Sequence, residues 1–171
     1  MVGSMRAVIV ATAVAIALGV SPGTASADPG ASPFDLTDPS IGGLDPALRT
    51  AVQNAATAAA ADGVTMTISS GWRSPQFQQQ LLDDAVVTYG SLAAARRYVQ
   101  TPEMSKHVTG QAVDVGGTGA DQWLDANGSR FGLCRIYANE IWHFELATDA
   151  TGVCPPLLPD ATSERTAKIE P

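Results

Sequence analysis

The chain has 171 residues, 45% of them hydrophobic, and a formal net charge of −7 at pH 7 from 17 acidic and 10 basic side chains. That acidity argues against nucleic acid and anionic membrane surfaces as partners, and against a polyanionic substrate. The length fits one compact monomeric domain, large enough to bury a core without many crosslinks.

Residues 1–27, MVGSMRAVIVATAVAIALGVSPGTASA, read as a signal peptide: Arg6 is the only charge, Ala7 to Val20 is apolar, and Ala25-Ser26-Ala27 is a small-residue ending. The apolar run is shorter than the roughly 20 residues that a membrane-spanning helix needs, so cleavage after Ala27 is expected over a retained anchor. The product would be secreted or held in the cell envelope, with no stable membrane insertion after cleavage. Residues 28–43, rich in Pro, Gly, Asp and Ser, predict an irregular lead-in to a domain over 44–160.

Asp45 followed by Pro46 predicts a helix start, and Leu48, Val52, Ala55, Ala56 and Ala59 recur at helical spacing until Gly63. Val64 to Ser69 alternates Val64, Met66 and Ile68 against Thr65, Thr67 and Ser69, the period of a half-buried strand. Ser74-Pro75 opens a second long helix with Phe77, Leu81, Ala85 and Tyr89 as its apolar stripe. Arg73 thus falls where a strand ends and a helix begins, a junction that presents functional groups on a rigid frame. A short helix after Ser91 would bury Leu92, Ala95 and Val99.

Gln111 to Val115 predicts a short strand, Ala120 to Ala126 a short helix with Trp123 and Leu124 inward, and Leu133 to Tyr137 and Trp142 to Leu146 two strands around a turn near Ala138-Asn139. The layout is α+β, a small, mainly antiparallel sheet flanked by helices. A flexible tail is expected over 161–171. Cys134 and Cys154 both fall in the exported part, where a disulfide is favoured over a pair of zinc thiolates because neither has a second ligand at short spacing. Closing a loop of about 20 residues would stabilise the fold by about 3 kcal/mol.

The only two histidines lie in SKHVTGQAVDV, 105–115, and in NEIWHFEL, 139–146. On a strand over 111–115, Asp114 points away from the side that Val113 and Val115 give to the core. On the later strand His143 and Glu145 share one side and Trp142, Phe144 and Leu146 the other. Two imidazoles and one carboxylate are a set that catalytic zinc accepts, with a fourth position left for water. Either segment alone reads rather as half-buried residues and a turn cap; together, His107, Asp114 and His143 point to a metal. Glu140, three residues before His143, would reach the water if the Ala138-Asn139 turn bends the chain, and a carboxylate outside the ligand set is the general base that metal-assisted hydrolysis needs.

These stretches resemble the zinc D-alanyl-D-alanine carboxypeptidases of the VanY type. Ser105 to Asp114 is similar to their S-x-H-x-x-G-x-A-x-D, Glu140 to His143 to their E-x-W-H, and SGWRSPQFQ, 70–78, to their S-G-Y-R-S-x-x-x-Q with Trp72 in place of tyrosine. The resemblance covers about Ile68 to Leu146 and implies a hedgehog/DD-peptidase-like fold with a zinc cleft on one face. It implies that His107, Asp114 and His143 hold Zn2+, that Glu140 is the base, and that Arg73 binds the scissile carbonyl oxygen as it gains charge. A surface pairing of Arg73 with Asp83 or Asp84 is the alternative. Ser105, Gln78 and Trp142 would line the substrate site. The implied substrate is a peptidoglycan stem peptide ending in D-Ala-D-Ala; the rivals are a related peptidoglycan endopeptidase and a non-catalytic zinc-containing cell-wall binding module.

Overall fold

The computed structural model describes residues 30–163; the signal peptide expected over 1–27 and the part of the expected tail beyond 163 lie outside the described residues. Capping residues set the helices. Asp38 accepts from the Ser40 amide to open a one-turn helix, α1 (Pro39–Gly42), and Asp45 accepts from the amides of Ala47 and Leu48 to open α2 (Pro46–Ala61). Ser74 does the same through the Phe77 amide for α3 (Pro75–Tyr89), which Gly90 ends at φ +77°, and Ser91 caps the one-turn α4 (Leu92–Ala95).

Four strands follow the alternation of the sequence: β1 (Thr67–Ser70), β2 (Ala112–Gly116), β3 (Leu133–Arg135) and β4 (His143–Leu146), with α5 (Ala120–Asn127) between β2 and β3. They form one antiparallel sheet in the order β1-β2-β4-β3. One side of the sheet gives Ile68, Val113, Val115 and Phe144 to a core completed by Leu48, Val52 and Ala55 of α2 and Trp123 and Leu124 of α5. With that side filled by helices, the opposite side is left to carry Asp114, His143 and Glu145.

Four expectations need correction. The lead-in over 28–43 is not irregular throughout: it holds α1, whose Ile41 is fully buried, and Ala31 pairs with Ile68. The buried residues of α3 are Gln78, Leu82 and Ala85, while Phe77 and Tyr89 are exposed, because α3 packs on α4 and turns Leu81 and Tyr89 to a cleft. Leu92 is exposed as well, since α4 is a single turn in which only Ala95 faces inward. The chain at 161 is no free tail, because Ala161 is buried against Cys134, Ile136 and Tyr137. Cys134 and Cys154 form a disulfide with their Cα atoms 5.6 Å apart.

Candidate metal centre

His107 sits in a tight turn in which the amide of Gly110 donates to the His107 carbonyl at 3.1 Å and that of Gln111 to the Lys106 carbonyl at 2.8 Å. Gly110 adopts φ +71°, and a Cβ there would meet the Gly43 carbonyl oxygen at 2.6 Å, so this position accepts only glycine. The imidazole is oriented from behind: its Nδ1–H donates to the Gly71 carbonyl at 2.8 Å, leaving Nε2 free to face Asp114. Gly71 in turn lies so near the Ser40 carbonyl that a Cβ would stand 2.1 Å from it. The Arg73 amide donates back to the His107 carbonyl at 3.3 Å, tying the SGWR segment to the histidine turn.

Asp114 and His143 are brought together by register, as direct partners across β2 and β4. Asp114 Oδ1 lies 3.1 Å from His143 Nδ1 and 3.4 Å from His107 Nε2. One ligand atom from each of the three residues falls within 4.8 Å of the others, and all three side chains are largely withdrawn from solvent. Glu140 lies between two turns, the Ala138-Asn139 turn that the sequence suggests and a second over Ile141 and Trp142. The His143 amide donates to the Glu140 carbonyl at 3.3 Å, a reversal that sets Glu140 Oε2 4.0 Å from His143 Nδ1. β4 accordingly begins at His143, with Trp142 in the turn and partly exposed on the cleft wall.

The charges agree with a cation site. Burial by itself would raise the pKa of Asp114, but the two imidazoles facing it hold its carboxyl well below the usual carboxylate range. Burial opposes a charge on His143, yet its hydrogen bonds to Asp114 and Glu145 outweigh that and lift its pKa to about 10. His143 therefore faces the Asp114 carboxylate as a cation. Glu140 is pushed up to about 7, chiefly by burial, with His143 and Arg73 pulling the other way and Asp114 adding to the rise. Its Oε1 is buried and has no hydrogen-bond partner. Two imidazole nitrogens, one carboxylate oxygen and a spare buried carboxylate beside them fit a divalent ion such as zinc.

A cleft of about 350 Å³ opens over this group. Arg73 enters it from the β1–α3 junction, 3.8 Å from Asp114 and not paired with Asp83 or Asp84, and its buried Nε has no partner. Burial lowers its pKa, against the pull of Asp114 and Glu140. Ser105 and Gln78 both line the cleft and meet each other: the Ser105 hydroxyl donates to Gln78 Oε1 at 3.0 Å.

Sequence reading gave no role to Glu145, whose carboxylate accepts from His143 Nε2–H at 3.0 Å and so turns Nδ1 towards the ligand group. Its place two residues after His143 on one side of a strand was the available signal. The Gly71 carbonyl behind His107 had none, since a backbone acceptor leaves no mark on residue type.

The family model described as VanY, D-alanyl-D-alanine carboxypeptidase, matches residues 42–147. A D-alanyl-D-alanine carboxypeptidase of Enterococcus faecalis is 34% identical over 112 residues, 51% of this chain and 42% of that protein, so the matched part is less than half of the relative's length. A mutant of the vancomycin resistance D,D-pentapeptidase VanY from a VanB-type resistance cassette, in complex with Zn(II), superposes with a TM-score of 0.56 at 32% identity, covering 60% of this chain and 71% of the other. VanYB in complex with D-alanine-D-alanine does so with a TM-score of 0.60 at 28% identity, covering 75% and 84%.

Proposed function

The chain belongs to the VanY D-alanyl-D-alanine carboxypeptidase family, and from that premise we propose that it is an exported zinc peptidase that removes the terminal D-alanine from peptidoglycan stem peptides. The observation that carries the reading is the unpartnered Glu140 oxygen beside the His107, Asp114 and His143 group, with the unpartnered Arg73 Nε in the same cleft. A structural metal site needs neither a spare buried base nor a spare buried donor; hydrolysis needs both.

Zinc bound by His107, Asp114 and His143 would supply a Lewis acid that polarises the scissile carbonyl and makes water easier to deprotonate. The protein supplies the rest. Glu140, with its pKa near neutrality, takes a proton from the attacking water as the new C–O bond forms. It then delivers that proton to the amine nitrogen as the C–N bond breaks, so the carboxylate returns to its starting state. Arg73 holds its guanidinium towards the carbonyl oxygen as negative charge develops there, and burial strengthens that contact by keeping water away. Trp142 forms an apolar wall, and the Ser105 and Gln78 pair bounds one end of the cleft.

Export rests on the leader sequence over 1–27. Mass spectrometry of defined muropeptides after digestion tests the reading. Loss of one terminal alanine is expected; two larger fragments would instead identify an endopeptidase, and an unchanged peptide with zinc retained would identify a binding module.

A further inference from the structure

The disulfide and the Pro-rich stretch behind it have no part in the chemistry above, yet they end at the cleft. Cys154 is fastened to Cys134 of β3. Leu158 then brackets Tyr137, its amide donating to the Ile136 carbonyl at 2.9 Å and its carbonyl accepting from the Ala138 amide at 2.8 Å. Further on, Asp160 accepts from Arg97 Nε at 2.8 Å, and the Ala161 carbonyl accepts from Gln100 Nε2 at 2.6 Å. Residues 155–163 are thus a strap tied down at both ends.

The strap reaches the functional residues along two routes. A hydrogen-bonded chain runs from Ala161 through Gln100 to Gln78, whose Nε2 donates to the Gln100 carbonyl at 2.7 Å, and on to Ser105. On its other flank Ala161 packs with Cys134 and Tyr137, and the Tyr137 ring centroid is 5.1 Å from that of His143. Ala161 itself lines the cleft beside Gln100 and Tyr137.

We propose that this strap is the specificity wall of the cleft: it closes the Ser105 end, so that a peptide terminating there fits while one continuing past it collides with Ala161 and Gln100. The inference rests on the peptidase reading and adds to it what sets terminal over internal cleavage. No bond to the strap is made or broken in the reaction; its residues act on selectivity through position alone.

The test uses the zinc-loaded full chain and two matched peptides, one ending in D-Ala-D-Ala and one continuing two residues beyond the same bond. Arg97→Ala frees one end of the strap and the pair Cys134→Ser, Cys154→Ser frees the other. The parent is expected to prefer the terminating peptide by on the order of a hundredfold in kcat/KM, and each variant to cut that preference about tenfold by lowering KM for the extended peptide, at unchanged zinc content. Should the cysteine pair fail to fold, Arg97→Ala decides alone, because its side chain is 56% exposed. Parallel loss of both activities with the preference intact would overturn the proposal, as would a parent that cuts both peptides equally well. A parent that cuts neither overturns the peptidase reading itself and is recognised without any variant.

Discussion

Asp114 stands directly opposite His143 in the β2–β4 ladder, with its Oδ1 3.1 Å from His143 Nδ1. The pairing is set from the other side of the sheet, where Val113 and Phe144 are fully buried and are themselves direct partners. Slipping one strand by one residue would expose Phe144 and turn a ligand away, so core packing and the metal group depend on one register. Phe144→Ala is expected to cost about 3–5 kcal/mol of stability and to weaken metal binding with it. Denaturant unfolding in the absence of metal measures the first and zinc titration the second; a variant as stable as the parent would show that the register is held elsewhere.

Glu140 lies outside the ligand group and 4.0 Å from its nearest nitrogen, so removing its charge separates chemistry from metal retention. Glu140→Gln should lower kcat by about 10²–10⁴ while zinc content stays as in the parent. A variant that turns over at the parental rate would remove Glu140 from the base role.

Glu145 accepts from His143 Nε2–H and so fixes which ring nitrogen faces the ion. Glu145→Ala should weaken zinc affinity by about 10–100-fold, with much of the activity recovered at saturating zinc. Competition against a chromophoric chelator reads the affinity; an unchanged constant would mean that the strand alone orients the ring.

In the metal-free chain the His143 pKa is about 10, whereas a ligand imidazole must be neutral. Below that pH, binding must expel the proton, so apparent zinc affinity should rise with pH, by up to about tenfold per unit for one proton released. Chelator competition at several pH values between acid and neutral, paired with proton-release measurements in weak buffer, checks the sign. Affinity independent of pH would mean that the imidazole is already neutral before the ion arrives.

The sheet that carries the metal group was legible in the sequence. Strand alternation sorts Val113 from Asp114 and Phe144 from His143, whereas the grouping of His107 and Glu140 with them leaned on the motifs resembling the VanY type. What escaped was set by tertiary contact. The face of α3 that turns inward depends on α4, whose Ala95 packs with Leu82 and Ala85, and on Gln78, whose amide has partners at Gln100 and Ser105, a network that periodicity cannot show. The burial of Ala161 depends on the disulfide bringing residues 155–163 back over Tyr137, and the cysteine spacing predicted the bond without its course. The Ala138-Asn139 turn stands where the sequence puts it, but a second turn after Glu140 went unread because Ile141 and Trp142 look like strand residues and are exposed in that turn instead.

The zinc content of the purified, folded chain, measured by elemental mass spectrometry beside that of Asp114→Ala, tests the central claim most directly. One zinc per parent chain and almost none in the variant is the expected result. A parent without zinc after growth and dialysis in its presence, or a variant that keeps as much as the parent, would contradict it.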